Sequence, residues 1–155
     1  MAKVISTKLK PYLITLDLQA KTHEEAVYEI ASTLKGDPLV TDFDGFYAAL
    51  QAREKLESTC LGKGIAFPHA RTDAVKGMVI AVGCSEAGVL HARADNQLEN
   101  LIFVIGTPKR MVTEYLSAVG ALARLLKDDA LRNKLLHAKN GDEFLFYLAE
   151  AEDKL

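Results

Sequence analysis

Met78-Val79-Ile80-Ala81-Val82-Gly83-Cys84 and Leu101-Ile102-Phe103-Val104-Ile105-Gly106 decide the fold. Each is an unbroken apolar run, too short for an ordinary helix and rich in β-branched residues. Runs of this kind suit central strands buried on both faces. The patterns on either side are helical. Upstream, Thr22 and Glu25 have capping-box spacing, and Ala26, Val27, Ile30, Ala31 and Leu34 recur at helical intervals until Gly36-Asp37-Pro38 breaks them. Asp42 is placed to cap a second helix with Phe43, Phe46, Tyr47 and Leu50 on its inner face. That helix is expected to run to about Leu56, carrying Arg53 and Glu54 near its end. Downstream of the strands, Tyr115, Leu116, Val119, Leu122, Ala123 and Leu126 form one stripe. Asp128 opens a further helix through Leu131, Leu135 and Leu136, and Asn140-Gly141-Asp142 starts the last, anchored by Phe144, Leu145 and Leu148. Two shorter strands are expected, one within Leu13–Leu18 and one at Ile65-Ala66-Phe67 that Pro68 ends. The start, through Pro11, reads as polar and loosely held. Strands between helices predict a single α/β domain whose sheet is covered on both faces.

Composition narrows the function classes. The chain has 155 residues, 49% of them hydrophobic, enough for one sizeable core. A formal charge of −2 argues against non-specific nucleic-acid binding and, more weakly, against acidic membranes. Cys60 and Cys84 make no C-x-x-C pair and suit free thiols in a reducing compartment. Neither a secretory leader nor a membrane-spanning run is evident, so a cytoplasmic protein is expected.

The stretch most suggestive of chemistry runs from Arg53 to Ala70. His69 follows Pro68 at the end of an apolar run, with Gly62 and Gly64 just before that run and Ser58 and Thr59 preceding them. A neutral imidazole has a nucleophilic nitrogen near pH 7, provided its other nitrogen is held by an acceptor. Pro68 restricts the adjoining backbone. Glycine-loop N–H groups, the two hydroxyls and the Arg53 guanidinium are the donors a phosphoryl group needs. The same Pro-His pattern also fits a turn with a solvated histidine. Glu57 and Asp73 are near enough in sequence to tune His69 or simply to be solvated. A Cys60–His69 thiol pair lacks an orienting third group. His23, His91 and His137 lie far apart without metal-ligand spacing and read as solvated histidines, so no metal is expected. Lys8, Lys10 and Lys21 form no basic patch.

With Arg53, Glu54, Ser58, Thr59, Gly62, Gly64, Ala66, Pro68 and His69 in register, this segment resembles the signature of enzyme IIA domains of the fructose/mannitol class. That class belongs to the bacterial phosphoenolpyruvate-dependent phosphotransferase system and includes a nitrogen-regulatory branch. The resemblance extends over nearly the whole chain and implies one enzyme IIA-like domain over residues 1–155 with a mixed β-sheet. It implies that His69 accepts a phosphoryl group from the histidine phosphocarrier protein and passes it to a IIB domain, with Arg53 near the phosphate. Transfer between protein histidines implies no metal or organic cofactor. It also implies an alternative, a standalone regulator that binds protein targets according to its phosphorylation state. No nucleic acid and no membrane insertion are implied. Three positions depart from the pattern: Cys60 for a glycine, Phe67 for Ile or Leu, and Tyr115 where many members carry a second histidine. A tyrosine hydroxyl can donate a hydrogen bond but brings no imidazolium charge. Slower transfer, or a drift toward sensing, is the expectation.

Overall fold

The computed structural model describes residues 4–56, 60–94 and 96–155, with the backbone alone for Cys60, Leu61 and Arg93. Its centre is an antiparallel pair, β5 (Val79–His91) and β6 (Gln97–Thr107). Residues 79–84 and 101–107 are buried throughout, as unbroken apolar runs require. Both strands reach further than the apolar runs predict. Their polar outer halves pair Val89 with Glu99 and His91 with Gln97, after an irregularity between Cys84 and Val89.

Around this pair the sheet is mixed. β1 (Ile14–Thr15) lies parallel to β5. On the other side, β3 (Ile65–Ala66) lies parallel to β6, and β2 (Cys60–Gly62) is antiparallel to β3. Pro68 interrupts this edge rather than ending it. The Pro68 carbonyl still accepts from Ile105 N–H at 3.0 Å, and β4 (His69–Arg71) resumes parallel pairing, His69 opposite Ile105. The 60–62 segment, expected as loop, is therefore strand, and His69 begins a strand instead of sitting on an open turn.

Helices cover both faces. The α-carbon of Gly83 faces Ile30 of α1 (His23–Ser32), and that of Gly106 faces the Phe46 ring of α2 (Phe43–Leu56). Gly83 and Gly106 point to the same side of the β5–β6 pair, so α1 and α2 share a face. Phe103 points to the other side and meets Phe144 of α5 (Gly141–Asp153), which packs with α3 (Val112–Leu125) and α4 (Asp129–Leu136). The helix starts form where local chemistry puts them. Thr22 accepts from Glu25 N–H, Asp42 from Gly45 N–H, Asp128 from Ala130 and Leu131 N–H, and Asn140 from Glu143 N–H.

From Val4 onward the N-terminal segment is not loose. Ile5 and Leu9 are fully buried. The buried Glu152 carboxylate on α5 accepts from the N–H groups of Val4, Ile5 and Ser6 at 2.7–3.0 Å and from the Ser6 hydroxyl. No helix among the described residues is long and apolar enough to cross a membrane.

Candidate functional site

His69 stands where the interrupted edge strand resumes, with only 7% of its surface exposed. Its Nδ1 lies 2.6 Å from the Phe67 carbonyl oxygen. A carbonyl can only accept, so Nδ1 carries the proton and Nε2 carries the lone pair. Pro68 between the two residues stiffens this contact. Burial holds the His69 pKa below its ordinary value; the Phe67 contact opposes this, while the Arg53 charge adds to it. The ring is thus kept neutral with one nucleophilic nitrogen.

The groove at His69 encloses about 560 Å³ and is lined by Ala52, Arg53, Leu56, Arg71 and Tyr115 among others. Arg53 reaches it from the last turn of α2, Tyr115 from the first turn of α3. The Tyr115 ring lies 5.4 Å from that of His69, centroid to centroid, tilted by 49°. Tyr115 thus lies beside the candidate nucleophile. Arg71, which the motif reading passed over, lies two residues beyond His69 on β4. Its guanidinium is 5.9 Å from the Tyr115 ring centroid and donates to the Lys109 carbonyl at 2.9 Å. Strand alternation was the available signal, since residues 69 and 71 share one side of β4. A second guanidinium thereby joins Arg53 at the groove, in a region the tyrosine leaves without an imidazolium.

Gly62 ends β2 and Gly64 lies on the turn to β3, and neither is among the residues lining the groove. Both have positive φ, 79° and 77°, with Lys63 at 57° between them. Gly64 is also close-packed: a β-carbon there would collide with the Asn100 side chain, and its carbonyl accepts from Asn100 and Leu101 N–H. Ser58, Thr59 and Glu57 lie outside the described residues. Asp73 accepts from Lys109 N–H at 3.2 Å. Among the described residues, the carboxylate whose charge is felt at His69 is Glu54, beside Arg53 on α2.

Two histidines depart from expectation. His23 and His91 are each 4% exposed, not solvated. Their rings stack at 3.7 Å within 5° of parallel. One carboxylate, Glu99, takes both: Nδ1 of His23 lies 2.5 Å from Oε1 and Nδ1 of His91 lies 2.8 Å from Oε2. The Nε2 of His23 contacts Glu54 at 2.8 Å. Burial alone would lower the His23 pKa, but the hydrogen bonds and charges of Glu54 and Glu99 outweigh it and raise the value to about 9. Burial would raise that of Glu99, and the two histidines bring it down instead. Sequence spacing hid the cluster because His23 and Glu99 are 76 residues apart. Cys84 is a buried free thiol, pushed up to about 12 by desolvation, and so unsuited to nucleophilic work.

Comparison with known proteins gives a family and the same fold. The family model for the phosphoenolpyruvate-dependent sugar phosphotransferase system, EIIA 2, matches residues 7–151. A fructose-specific EIIA component from Haloferax volcanii is 33% identical over 146 residues, covering 94% of this chain and 95% of that protein. A fructose-specific EIIABC component from Bacillus subtilis is 31% identical over 141 residues; the match covers 91% of this chain but only 22% of that protein's length. Among solved structures, the nitrogen regulatory protein IIA-Ntr from Neisseria meningitidis superposes with a TM-score of 0.85 at 27% identity, covering 94% of this chain and 99% of that one. The mannitol enzyme IIA of Escherichia coli, solved in complex with its phosphorylated enzyme IIB, gives a TM-score of 0.77 at 26% identity, covering 92% and 99%. The chain belongs to the EIIA type 2 family of the phosphoenolpyruvate-dependent sugar phosphotransferase system.

Proposed function

We propose that residues 1–155 act as one phosphocarrier unit, with His69 as phosphoryl acceptor. The observation that carries this reading is the 2.6 Å contact from His69 Nδ1 to the Phe67 carbonyl, which reserves Nε2 for attack. Nε2 would attack the phosphorus of a phosphohistidine on the histidine phosphocarrier protein. A new N–P bond forms as the carrier's N–P bond breaks, and the carrier's nitrogen keeps the electron pair. The positive charge that develops on the His69 ring is spread onto Nδ1–H, where the Phe67 carbonyl stabilises it. Arg53 and Arg71 would offset the charge of the equatorial oxygens. Ser58, Thr59, Gly62 and Gly64 enter the proposal as further phosphate donors through the family motif.

Transfer in the reverse sense would hand the group to a IIB domain. A transient partner surface needs an apolar centre. Leu56 at the groove, 80% exposed, and Leu116 beside Tyr115, 62% exposed, supply apolar surface there. With the carrier protein as donor, the reading places the chain in the cytoplasm. The test is incubation with phosphoenolpyruvate, enzyme I and the histidine carrier, followed by assay for an acid-labile adduct. The expected result is one phosphoryl per chain. No labelling with active upstream proteins would overturn the reading.

A second reading, a regulator that binds targets according to phosphorylation state, is favoured by Tyr115 in place of the second histidine and by the likeness to IIA-Ntr. A phosphorylated chain that fails to pass its group to IIB domains, yet changes affinity for a protein target, would select it.

A further inference from the structure

Three buried ionisable groups, His23, His91 and Glu99, have no part in the phosphoryl site, and Glu54 joins them from the same helix as Arg53. They converge under α1 and α2, on the face of α2 that looks away from the His69 groove. Glu99 is fully buried, and His23 and His91 nearly so. The donor atoms that His23, His91 and Glu99 offer lie within 4.8 Å of one another. Tetrahedral donors on bonds of about 2.0–2.2 Å stand roughly 3.3–3.6 Å apart, so an ion needs movements of about an ångström and a turn of the two stacked rings out of parallel, which aims both Nδ1 atoms at one point. We propose that His23, His91 and Glu99 form a binding site for a divalent transition-metal ion, with Nδ1 of each histidine and the Glu99 carboxylate as ligands.

Three further observations support the assignment, and it does not depend on the phosphoryl reading. The first is orientation. A ligating histidine usually donates its other ring N–H to a carboxylate, which fixes the ring and strengthens the ligand. Glu54 already stands 2.8 Å from the far nitrogen of His23. The second is charge. Glu54 and Glu99 place two carboxylates around two imidazoles, and a dication would balance them with both rings neutral, each carrying its one proton on Nε2 and any excess proton released to solvent. The third is access. A cavity of about 250 Å³ is lined by His23, His91 and Glu54, with Glu24, Gln51 and Lys55 also on its wall. It brings an ion as far as the two imidazoles; Glu99, fully buried, is not on its wall, so the same turn of the rings completes the path. Two imidazoles and one carboxylate, with one position left, is a donor set that suits Zn²⁺ and tolerates Co²⁺ as a spectroscopic substitute.

The test uses the full chain, stripped with a chelator and titrated with Zn²⁺ against a chromogenic competitor, then with Co²⁺ followed by its visible absorption. One ion per chain is expected, with an intense visible Co²⁺ spectrum of tetrahedral type. Uptake should fall at least tenfold in His91→Gln and persist in His137→Ala, which alters an exposed histidine. In the wild-type chain, the ring-nitrogen resonances of His23 and His91 should move on adding Zn²⁺ while those of His69 stay. This measurement decides the matter should His91→Gln not fold. Sub-stoichiometric uptake, uptake unchanged in a folded His91→Gln variant, or ring shifts confined to His69 or His137 would overturn the proposal.

Discussion

Arg53 and Glu54 are neighbours on one helix, yet they serve opposite histidine environments. On one side of α2, His69 has a backbone carbonyl at Nδ1 and a guanidinium nearby, and its pKa is driven down. On the other, His23 lies between two carboxylates, and its pKa is driven up to about 9. Both rings are buried, so burial is not what separates them. The difference lies in the charge of what touches the ring: a neutral carbonyl with a nearby cation favours a neutral nucleophile, whereas paired carboxylates favour the imidazolium. One turn of helix thus sets up two histidine chemistries by the choice of consecutive side chains.

The comparison breaks most simply at His69. His69→Ala should abolish acid-labile phosphoryl uptake altogether. The ring is at the edge of the groove, so the thermal midpoint should move by only a few degrees. Residual uptake above a few percent of wild type would mean that another histidine carries the group, and the contrast between the two sites would fail. On the other side, Glu99→Gln should cost about 3 kcal/mol of folding stability, because it removes the buried charge that two ring N–H groups address. Denaturant midpoints measure this. A loss under about 1 kcal/mol would show that the cluster rearranges without its central carboxylate.

Much of the fold was readable from local chemistry. Thr22, Asp42, Asp128 and Asn140 cap where their side chains reach nearby N–H groups, and the two apolar runs became the central strands, because both features depend on residues close in sequence. What the sequence withheld depends on partners far apart. The N-terminal segment is polar in composition, and Glu152, at the far end of the chain, ties it down. Pro68 was expected to end its strand. It removes one donor but leaves its carbonyl, so pairing with β6 survives and delivers His69. At the site, the motif named His69, Arg53 and Tyr115, which do meet at one groove. It missed Arg71; of the carboxylates near the motif, Asp73 turns to the Lys109 N–H, Glu54 is felt at the ring, and Glu57 lies outside the described residues.

Smaller effects sharpen the contrast. Arg53→Lys should slow phosphoryl uptake about 30-fold, near 2 kcal/mol of barrier, since a point charge cannot reproduce a planar two-point contact with phosphate. Single-turnover quench measurements would detect it, and a change under threefold would remove Arg53 from the site. The pH dependence follows from direction alone. Only the neutral His69 ring attacks, and its pKa lies below the ordinary 6.5. The uptake rate should therefore fall with decreasing pH with its midpoint below pH 6.5. A midpoint at or above 6.5, measured with upstream proteins in excess, would contradict the environment described for the ring.

The smallest effect is expected at Tyr115. Its ring sits 5.4 Å from His69, within 6 Å of the Arg71 guanidinium, so the position already borders positive charge. Tyr115→His adds a ring that can bear charge itself, but next to an existing guanidinium the gain in phosphate attraction is partly redundant. Uptake should rise by about three- to fivefold, roughly 0.6–1 kcal/mol. In an Arg71→Ala background the same substitution should give a larger factor, because the histidine would then be replacing a missing cation. Equal factors in the two backgrounds would show that Arg71 does not stand in for the second histidine. A Tyr115→His chain that is no faster in either background would leave the tyrosine as a packing choice, without bearing on the rate of transfer.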